Sequence, residues 1–356
     1  MTMKIASHTV FERVPFLPGQ NMRQFLDVCQ KEHPALYQRL DLDRLPIDTW
    51  FALYSSLDSI SAVFESKDKG GRGDAYRATQ VKHPLIRARG ISRLFKLVMP
   101  RDVLPSPATC ILDALGGNGT LTRAMRMLCS PAACPTIFTA DLAAAMVIDA
   151  LAQGLPAIRQ PAHYTLFGDS TLDGVIFAYG THHIPLFERP LAVAEAYRVL
   201  RPGGRVVIQD FEEGTPTARW YSEMLDRYTR TGHKHTHFTR SSMYDLLAHA
   251  GFTQVNIHYV YDPCIFYAGT SEDARVGLLN YLVSLFALEK LLSTDRPFDR
   301  QFWNHVEEVF RPYANFTRDQ LPGGESTVQE LTVVQEGDRF RAELPRVALV
   351  AVAERP

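Results

Sequence analysis

The spacing of apolar residues predicts helices in the first third of this chain of 356 residues. Within residues 1–106, apolar positions recur at helical intervals without strand alternation, as in NMRQFLDVCQKEHPALYQRL and DTWFALYSSLDSISAVFES. Next comes KDKGGRGDAYRATQVKHPLIRARG, whose glycines and basic residues predict a mobile loop. This loop is interpreted either as a lid over a ligand site or as a solvated charged surface. We therefore expect residues 1–106 to form a helical N-terminal cover.

From Cys110 onward the pattern changes to short apolar runs that alternate with helical segments. This alternation is typical of a parallel sheet with crossover helices. The predicted helices include TLTRAMRMLC, LAAAMVIDALAQ and RPLAVAEAYRVL. The predicted strands are CILDAL, TIFTAD, HYTLFG, GVIFAYG, RVVIQDF and, after a further helix, QVNIHYVY. Residues 107–261 are thus predicted to form an α/β core.

The last part of the chain is predicted to add a helical insertion and further strands. Residues 262–323 have helical spacing and many aromatic residues, and are expected to pack over the core as a cap. Residues 324–356 alternate like strands, with a hairpin turn at Glu336-Gly337-Asp338. We expect these C-terminal strands to complete the sheet.

Composition and charge narrow the classes of partner. The formal net charge of −1 gives no attraction to polyanions, so we expect a small-molecule partner and neither a nucleic acid nor a membrane surface. The five cysteines are scattered and odd in number, which predicts reduced thiols rather than a disulfide framework. The sequence shows no secretory signal and no run of about 20 apolar residues. We expect a cytoplasmic protein, and a homodimer is compatible with these features.

A glycine-rich turn between a strand and a helix is the first candidate ligand site. The strand CILDAL leads into Gly116–Gly119, where missing side chains and outward amide groups let a ligand approach the backbone. Such a turn also occurs as a purely structural loop. The next strand ends at Asp141, where a carboxylate can accept both hydroxyls of a ribose. Together these features predict a nucleoside ligand, with NAD and S-adenosylmethionine (SAM) both open at this point.

Three motifs in a defined order distinguish between these two ligands. They are ILDALGGNGT at the first strand, GVIFAYGTHHIP at the fourth, and AYRVLRPGGRVVIQDF across the turn into the fifth. With these motifs, residues 108–260 resemble the class I SAM-dependent methyltransferases. The resemblance implies SAM as the cofactor and a Rossmann-like, seven-stranded, mostly parallel sheet. In this chain the sheet is expected to carry a helical N-terminal section and a helical insertion before the last strand.

The resemblance also implies where the cofactor lies. The glycine turn would surround the methionine part of SAM, Asp141 would hold the ribose and Leu142 would flank the adenine. Asp169 and its neighbour Ser170 align with the acidic position near the adenine amino group, and Tyr76 of the lid region would meet the SAM carboxylate. The full predicted set is Asp113, Leu115, Gly116, Gly117, Asn118, Gly119, Asp141, Leu142, Asp169, Ser170 and Tyr76.

Three residues after the fourth strand are candidate catalytic residues. The resemblance places Tyr179 close to the SAM sulfonium, where its ring would stabilise the cation. Packing under a helix is the alternative role for this tyrosine. His182 and His183 are candidates for a general base, with a structural role as their alternative.

A second group of histidines lies further along the chain. The segment Gly232–His237 places three imidazoles at alternate positions, namely His233, His235 and His237. On an extended strand they would project to one side and form a conceivable metal site. Nearby carboxylates are limited to Asp210, Glu212 and Glu213. We predict no metal and interpret the segment as a solvated histidine loop above the site.

Leu115 is the one clear departure from the pattern of the family, which has glycine at this position. A bulky residue here is expected to displace the methionine end of SAM or to replace one of its usual contacts. The leading interpretation is methyl transfer to a small molecule of specialised metabolism, by in-line displacement at the sulfonium. One alternative is cyclisation of the amino acid part of SAM with release of methylthioadenosine, as in azetidine-2-carboxylate synthases. The other is a non-catalytic SAM-binding protein.

Overall fold

The computed structural model describes residues 11–44, 46–60, 63–101, 103–229, 231–288, 300–315 and 330–356. The N-terminal section opens with an antiparallel ribbon of β1 (Pro15–Leu17) and β2 (Gln20–Asn21), which the helical pattern did not predict. Five helices follow. They are α1 (Met22–Glu32), α2 (Pro34–Tyr37), α3 (Ile47–Ile60), α4 (Gly73–Lys82) and α5 (Ala88–Val98).

The stretch predicted as a mobile loop is largely helical, because α4 and the start of α5 lie within it. The glycines that indicated a loop mark the approach to α4. Gly70 ends a 3₁₀ turn with φ +85°, and Gly73 begins the helix in close contact with Phe64. A Cβ at Gly73 would lie 2.0 Å from the carbonyl oxygen of Phe64, so only glycine fits there.

The central sheet has seven strands in the spatial order β5-β4-β3-β6-β7-β12-β8. The first five are parallel to one another, and β12 is antiparallel to both of its neighbours. This confirms the predicted mostly parallel, Rossmann-like sheet. The strands are β3 (Cys110–Asp113), β4 (Thr136–Asp141), β5 (Ala157–Arg159), β6 (Leu172–Phe177), β7 (Leu200–Asp210), β8 (Thr253–Tyr261) and β12 (Val347–Glu354).

The crossover helices cover both faces of the sheet, so its central strands are buried on both sides. All four residues of β3 are buried, as are seven of the eight residues of β12. Nearly continuous apolar strands such as these are expected in a sheet covered on both faces. The helices of the core are α6 (Thr120–Leu128), α7 (Ala144–Ala152), α8 (Arg189–Val199), α9 (Pro216–Trp220), α10 (Asp226–Tyr228) and α11 (Arg240–His249), with a π-helical segment at Tyr221–Leu225.

One predicted strand is wrong. The run HYTLFG forms a loop, and the third strand of the core is the short β5 that precedes it. Phe167 of the run is buried in the core, and the Leu166 N–H donates to the side-chain oxygen of Gln160 at 2.8 Å. The apolar residues are therefore explained by burial beneath the N-terminal section rather than by pairing in the sheet.

The C-terminal part divides between two sheets. The predicted hairpin is present as β10 (Thr332–Glu336) and β11 (Arg339–Leu344), but it pairs with β9 (Cys264–Ala268) in a separate three-stranded sheet. Only β12 joins the central sheet. The helices α12 (Ser271–Phe286) and α13 (Arg300–Phe310) lie in the expected helical insertion, whose residues 289–299 and 316–323 are outside the described part.

The N-terminal section packs on the sheet through aromatic residues and thereby covers the carboxyl ends of its strands. The Phe16 ring stacks on Phe25 at 4.2 Å between centroids and contacts Tyr54 at 5.1 Å. The Tyr54 hydroxyl donates to the carbonyl of Arg159, at the end of β5, at 2.7 Å. Across the described residues, no helix is both long enough and apolar enough to cross a bilayer.

Candidate functional site

A cleft of about 1280 Å³, part of it open to solvent, lies at the carboxyl ends of β3, β4 and β6. Ligands of open α/β sheets bind at this edge. The core contributes the glycine turn, the end of β4 and the residues after β6 to its walls. The N-terminal section closes the cleft from above with Leu53, Leu57, Val63, Phe64 and Tyr76. Sequence reasoning predicted only Tyr76 among these covering residues.

The glycine turn lines the cleft at Gly117, whereas Gly116 is not among the lining residues and packs against the core. A Cβ at Gly116 would lie 2.7 Å from Thr139 Cγ2 and 2.8 Å from Asp113 Oδ2, so no side chain fits. Gly117 has φ +56° and lines the cleft, as does the side chain of Leu115. Leu115 also packs against the main hydrophobic core. The bulky residue that departs from the family pattern thus forms part of the wall of the cleft.

Asn118 and Gly119 are not among the residues that line the cleft. Asn118 is fully buried, and its amide nitrogen donates to Asp149 Oδ2 at 2.8 Å. Gly119 begins α6 with φ +82°, and a Cβ there would lie 2.2 Å from Leu155. Both residues therefore shape the turn from behind. Their predicted contact with the cofactor has no counterpart in this arrangement.

Asp141 lies at the end of β4 and orders the glycine turn. Its Oδ2 accepts the Gly117 N–H at 2.9 Å, and its Oδ1 accepts the Ala143 N–H at 2.8 Å. Desolvation raises the pKa of Asp141 to about 6, although both amide donors oppose the shift. A carboxylate has about four acceptor positions, so Asp141 retains acceptors for ribose hydroxyls from the cleft. Leu142 and Met146 line the cleft beside it.

Asp113 lies beneath the glycine turn and does not line the cleft. It is fully buried, and neither carboxylate oxygen makes a well-formed hydrogen bond to a described residue. Burial, followed by the negative charge of Asp141, raises the pKa of Asp113 to about 8. Its predicted place around the methionine part of SAM is therefore corrected to a support position under the turn, with the acid protonated at neutral pH.

This raised pKa predicts a pH-dependent stability that Asp113→Asn removes. Between pH 4 and 8, roughly, the folded chain keeps the proton of Asp113 while the unfolded chain, with an ordinary pKa of 3.8, releases it. The free energy of unfolding of the wild type therefore falls by up to about 1.4 kcal/mol per pH unit across this range. Denaturant unfolding of both proteins, without cofactor, should show a gap that widens up to pH 8 and is then constant. If the free energies of unfolding of the two proteins changed equally with pH, Asp113 would not be protonated in the folded wild type.

Asp169 and Ser170 lie far from the adenine position to which the sequence analysis assigned them. They precede β6, at the amino edge of the sheet, opposite the cleft. The Asp169 side chain is 75% exposed and pairs with Arg198 at 2.6 Å, while the Ser170 hydroxyl accepts from Arg355 at 2.9 Å. The prediction of an adenine contact for this pair is wrong, because the observed strand β5 ends at Arg159, whereas the predicted strand HYTLFG ends at Gly168, next to Asp169.

The loop after β5 supplies the wall that the alignment missed. Gln160, Pro161, Ala162 and His163 line the cleft, and His163 Nδ1 lies 3.0 Å from Oε2 of Glu188, which also lines the cleft. The sequence signal for this loop was Pro161, which argues against a continuing strand at that point. The predicted strand in HYTLFG concealed it.

Tyr76 lies on α4 and packs over the glycine turn. Its ring carbon Cε1 is 3.9 Å from the position that a Cβ of Gly117 would occupy. Two arginines of the basic stretch at residues 67–90, Arg72 and Arg87, are buried rather than solvated. Arg72 lies over the Phe64 ring at 5.3 Å, and its Nε and Nη1 have no hydrogen-bond partner among the described residues. Arg72 and Arg87 thus contribute to the interior of the site.

Tyr179 lines the cleft in an unusual backbone conformation, with φ +58°. Few residues other than glycine adopt this region, and such positions concentrate at functional sites. The hydroxyl donates to Asp262 Oδ1 at 3.0 Å, and the Arg87 guanidinium lies 4.7 Å from the ring centroid. Burial, and then the charge of Asp262, raises the pKa of Tyr179 well above its usual value. The phenol therefore stays neutral.

A second, smaller cavity adjoins the cleft and is called here the aromatic chamber; its volume of about 370 Å³ includes space open to solvent. Both cavities are lined by the same four side chains, those of Phe64, Tyr76, Tyr179 and His183. The remaining walls of the chamber combine three arginines with three aromatic residues: Arg72, Arg87, Arg346, Phe211, Tyr221 and Phe286. Tyr221 starts the π-helical segment, a feature often found at functional sites.

The two groups of histidines, separate in sequence, form one cluster in the structure. His182 Nδ1 lies 3.0 Å from Asp210, and His182 Nε2 lies 3.1 Å from His233 Nε2. The rings of His183 and His235 are 4.4 Å apart, and both residues line the cleft. His233 is only 5% exposed. The interpretation of residues 232–237 as a solvated loop is therefore wrong.

Burial determines the charge of this cluster. Desolvation, together with neighbouring imidazoles and Arg72, lowers the pKa of His233 to about 2 and that of His235 to about 4. The same causes place the pKa of His183 well below 6.5. Burial opposes ionisation of Asp210, but contact with His182 holds the pKa of that carboxyl below its usual range. These three imidazoles are therefore neutral at physiological pH.

Residues 112–208 match a protein family described as a methyltransferase domain. This match confirms the class I SAM-dependent methyltransferase superfamily, with SAM as its cofactor, that the three motifs indicated. It covers the glycine turn, Asp141, Tyr179 and most of β7.

The curated relatives share the core and not the whole chain. The ubiquinone/menaquinone biosynthesis C-methyltransferase UbiE of Brucella anthropi is 27% identical over 165 residues, which are 43% of this chain and 61% of the relative. UbiE of a Marinomonas strain is 30% identical over 148 residues, which are 39% of this chain and 57% of the relative. The chain thus spans about three fifths of the length of these relatives.

Solved structures of methyltransferases resemble the chain at low identity. A SAM-dependent methyltransferase from Archaeoglobus fulgidus aligns with 75% of this chain and 92% of its own length, at 14% identity and a TM-score of 0.41. Phosphoethanolamine N-methyltransferase 2 of Haemonchus contortus, solved with SAM, aligns with 74% and 52%, at 12% identity and a TM-score of 0.41.

Proposed function

We propose that this protein is a SAM-dependent methyltransferase that acts on a small molecule held in the aromatic chamber. One observation carries the proposal: the cleft and the chamber meet at Phe64, Tyr76, Tyr179 and His183. A cofactor in the cleft and an acceptor in the chamber would face each other there. Small-molecule sites are concave and lined mainly by apolar and aromatic side chains with a few polar groups, as these walls are, whereas a macromolecular substrate needs an open groove.

The residues of the cleft fit SAM part by part. Asp141 offers a carboxylate to the ribose hydroxyls, and Leu142 and Met146 give an apolar wall for the adenine. Gly117 exposes the backbone of the turn to the amino acid part, beneath the ring of Tyr76. Asp169 and Ser170 have no place in this arrangement, because they lie at the other edge of the sheet.

When bound, SAM supplies an electrophilic methyl carbon on a sulfonium, so the task of the chain is to orient the acceptor and to exclude water. Tyr179 is proposed to contact the reacting groups, because it lines both cavities and its hydroxyl is held by Asp262. His183 lines both cavities as a neutral imidazole. Its low pKa makes it a weak general base. We assign it to accept a hydrogen bond from the acceptor.

His182 is reassigned from catalysis to support. It is 2% exposed, does not line the cleft or the chamber, and is held by Asp210 through both its ring and its backbone N–H. The sequence placed a general base at His182 or His183. We therefore do not assign this role to His182 for an acceptor in the chamber.

Product analysis with SAM labelled at the methyl group tests the proposal. The purified protein is incubated with SAM alone, and with SAM plus a bacterial extract separated into small-molecule and macromolecular fractions. We expect S-adenosylhomocysteine only with the small-molecule fraction, and label in a small product. Asp141→Ala is the inactive control. Label in protein or nucleic acid would contradict the small acceptor.

The assay also separates the two alternatives. Methylthioadenosine formed from SAM alone would indicate cyclisation of the amino acid part instead of methyl transfer. The structural argument for this alternative is Leu115 in the wall of the cleft. Tight SAM binding without either product, in every fraction, would indicate a non-catalytic SAM-binding protein.

A further inference from the structure

We propose that the histidine cluster binds one divalent transition-metal ion through the imidazoles of His182, His183 and His233. The donor atoms of these three residues all lie within 4.8 Å of one another. His182 Nε2 and His233 Nε2 are 3.1 Å apart. Two nitrogen ligands at about 2.0–2.1 Å from a tetrahedral zinc ion lie roughly 3.4 Å apart, so a small shift admits the ion. The proposal does not rest on methyl transfer, but the site shares His183 with the chamber, and an ion bound there would take the His183 lone pair that is otherwise assigned to the acceptor.

The orientation of His182 supports a metal site. Its Nδ1 faces Asp210, which also accepts the backbone N–H of His182 at 2.6 Å and that of Phe211 at 2.7 Å. A carboxylate that holds the far nitrogen of a ligating histidine fixes its ring and makes it more basic. The pair thus directs the Nε2 lone pair of His182 toward His183 and His233. Asp210 acts as a positioning residue.

The alternative is a chain of hydrogen bonds between imidazoles. In that arrangement His182 and His233 share one proton, and His233 Nδ1 is left buried without a hydrogen-bond partner among the described residues. His237 Nδ1 lies 3.4 Å from Asp210 and competes for the same carboxylate. Such a chain of hydrogen bonds gives only a minor part to the fourth imidazole, that of His235. The ring centroid of His235 is 4.8 Å from that of His233. A metal ion gives one nitrogen each of His182, His183 and His233 a common partner.

The ligands and their exposure indicate the class of metal. Imidazole without thiolate suits Zn²⁺, Co²⁺ or Ni²⁺, whereas Mg²⁺ and Ca²⁺ prefer oxygen ligands. His183 and His235 line the cleft, so the site opens toward the cavity in which ligands are proposed to bind. Three protein ligands with one open position are the pattern of catalytic zinc sites. His235 or an oxygen of a cleft-bound molecule would complete the coordination.

Metal titration of the tag-free full chain tests this site. The protein is treated with a chelator, dialysed, and titrated with CoCl₂, then ZnCl₂, at near-neutral pH, with MgCl₂ as a comparison. We expect the protein to bind about one Co²⁺ per chain, with visible d–d absorption, and Zn²⁺ to displace the Co²⁺. Titration with Mg²⁺ should give no heat of binding. Absence of Co²⁺ binding by the folded wild type would overturn the proposal, whatever the outcome for methyl transfer.

Variants distinguish this site from adventitious histidine binding. His233→Gln and the less buried His183→Gln should each lower Co²⁺ affinity at least tenfold, and Asp210→Asn should lower it about 10- to 100-fold. His249→Gln, on the exposed face of α11, is the matched control and should bind like the wild type. Circular dichroism identifies variants that fail to fold. Wild-type affinity in folded His183→Gln and His233→Gln would assign the ion to another site and refute the proposal.

Discussion

Asp141→Ala is expected to weaken SAM binding by about 10- to 150-fold. The carboxylate would accept charge-assisted hydrogen bonds from the ribose hydroxyls, and loss of such a bond costs about 1.5–3 kcal/mol. The same change removes the acceptor of the Gly117 N–H, which holds the glycine turn toward the cleft. Both effects act on SAM affinity, which isothermal titration calorimetry measures directly.

Asp169→Ala is the matched control for this experiment. It removes a carboxylate that the sequence placed in the same site and that the structure places at the opposite edge of the sheet, 75% exposed. We expect wild-type affinity from this variant. Unchanged affinity in Asp141→Ala would refute the ribose assignment, and weakened affinity in Asp169→Ala would restore the adenine contact predicted from the motif.

Asp262→Ala is expected to lower the free energy of unfolding by about 3–5 kcal/mol, the usual cost of removing one partner of a buried ion pair. Asp262 is 2% exposed and accepts from Arg346 Nη2 at 2.6 Å and from the Tyr179 hydroxyl at 3.0 Å. Its removal leaves Arg346 and the nearby Arg87 without this buried carboxylate. The arginines cannot deprotonate to relieve the cost.

Denaturant unfolding at neutral pH checks this value. Asp27→Ala is the comparison, because Asp27 also pairs with an arginine, Arg23, but its side chain is 56% exposed. Exposed pairs contribute about 0–1 kcal/mol, so this variant should resemble the wild type. Equal losses in the two variants would show that the pairing of Asp262 with Arg346 is not what stabilises the end of β8. Isothermal titration calorimetry with SAM can also be carried out on Asp262→Ala, to learn whether SAM affinity depends on the fixed position of Tyr179.

The sheet and the glycine turn could be predicted because their signals are local. A buried strand followed by glycines and a helix is specified within about ten residues, and the close contacts of Gly116 explain why that pattern is required. Asp141 and Tyr179 could be placed because each directly follows a strand of the parallel sheet. Parallel strands end at one edge, so their following residues converge.

The errors arose where a residue serves the packing of a distant segment. The run HYTLFG has strand composition, but Phe167 is buried against the core and its loop is shaped by Gln160. Because this run was predicted as a strand, Asp169 was assigned to the carboxyl edge of the sheet, whereas it lies at the amino edge. The basic stretch before the core reads as a loop, yet Gly73 starts a helix whose Tyr76 lies over the glycine turn.

By itself, the sequence determined the superfamily, the parallel sheet and the cofactor edge, because these depend on short motifs and on the alternation of apolar segments. Only the tertiary structure decided the use of the histidines. His182 and His233 are 51 residues apart in the chain and 3.1 Å apart between their ring nitrogens. No periodic pattern links the two segments. Their meeting depends on how residues 231–237 fold back over the ends of β6 and β7, which is set by packing and buried hydrogen bonds rather than by local spacing.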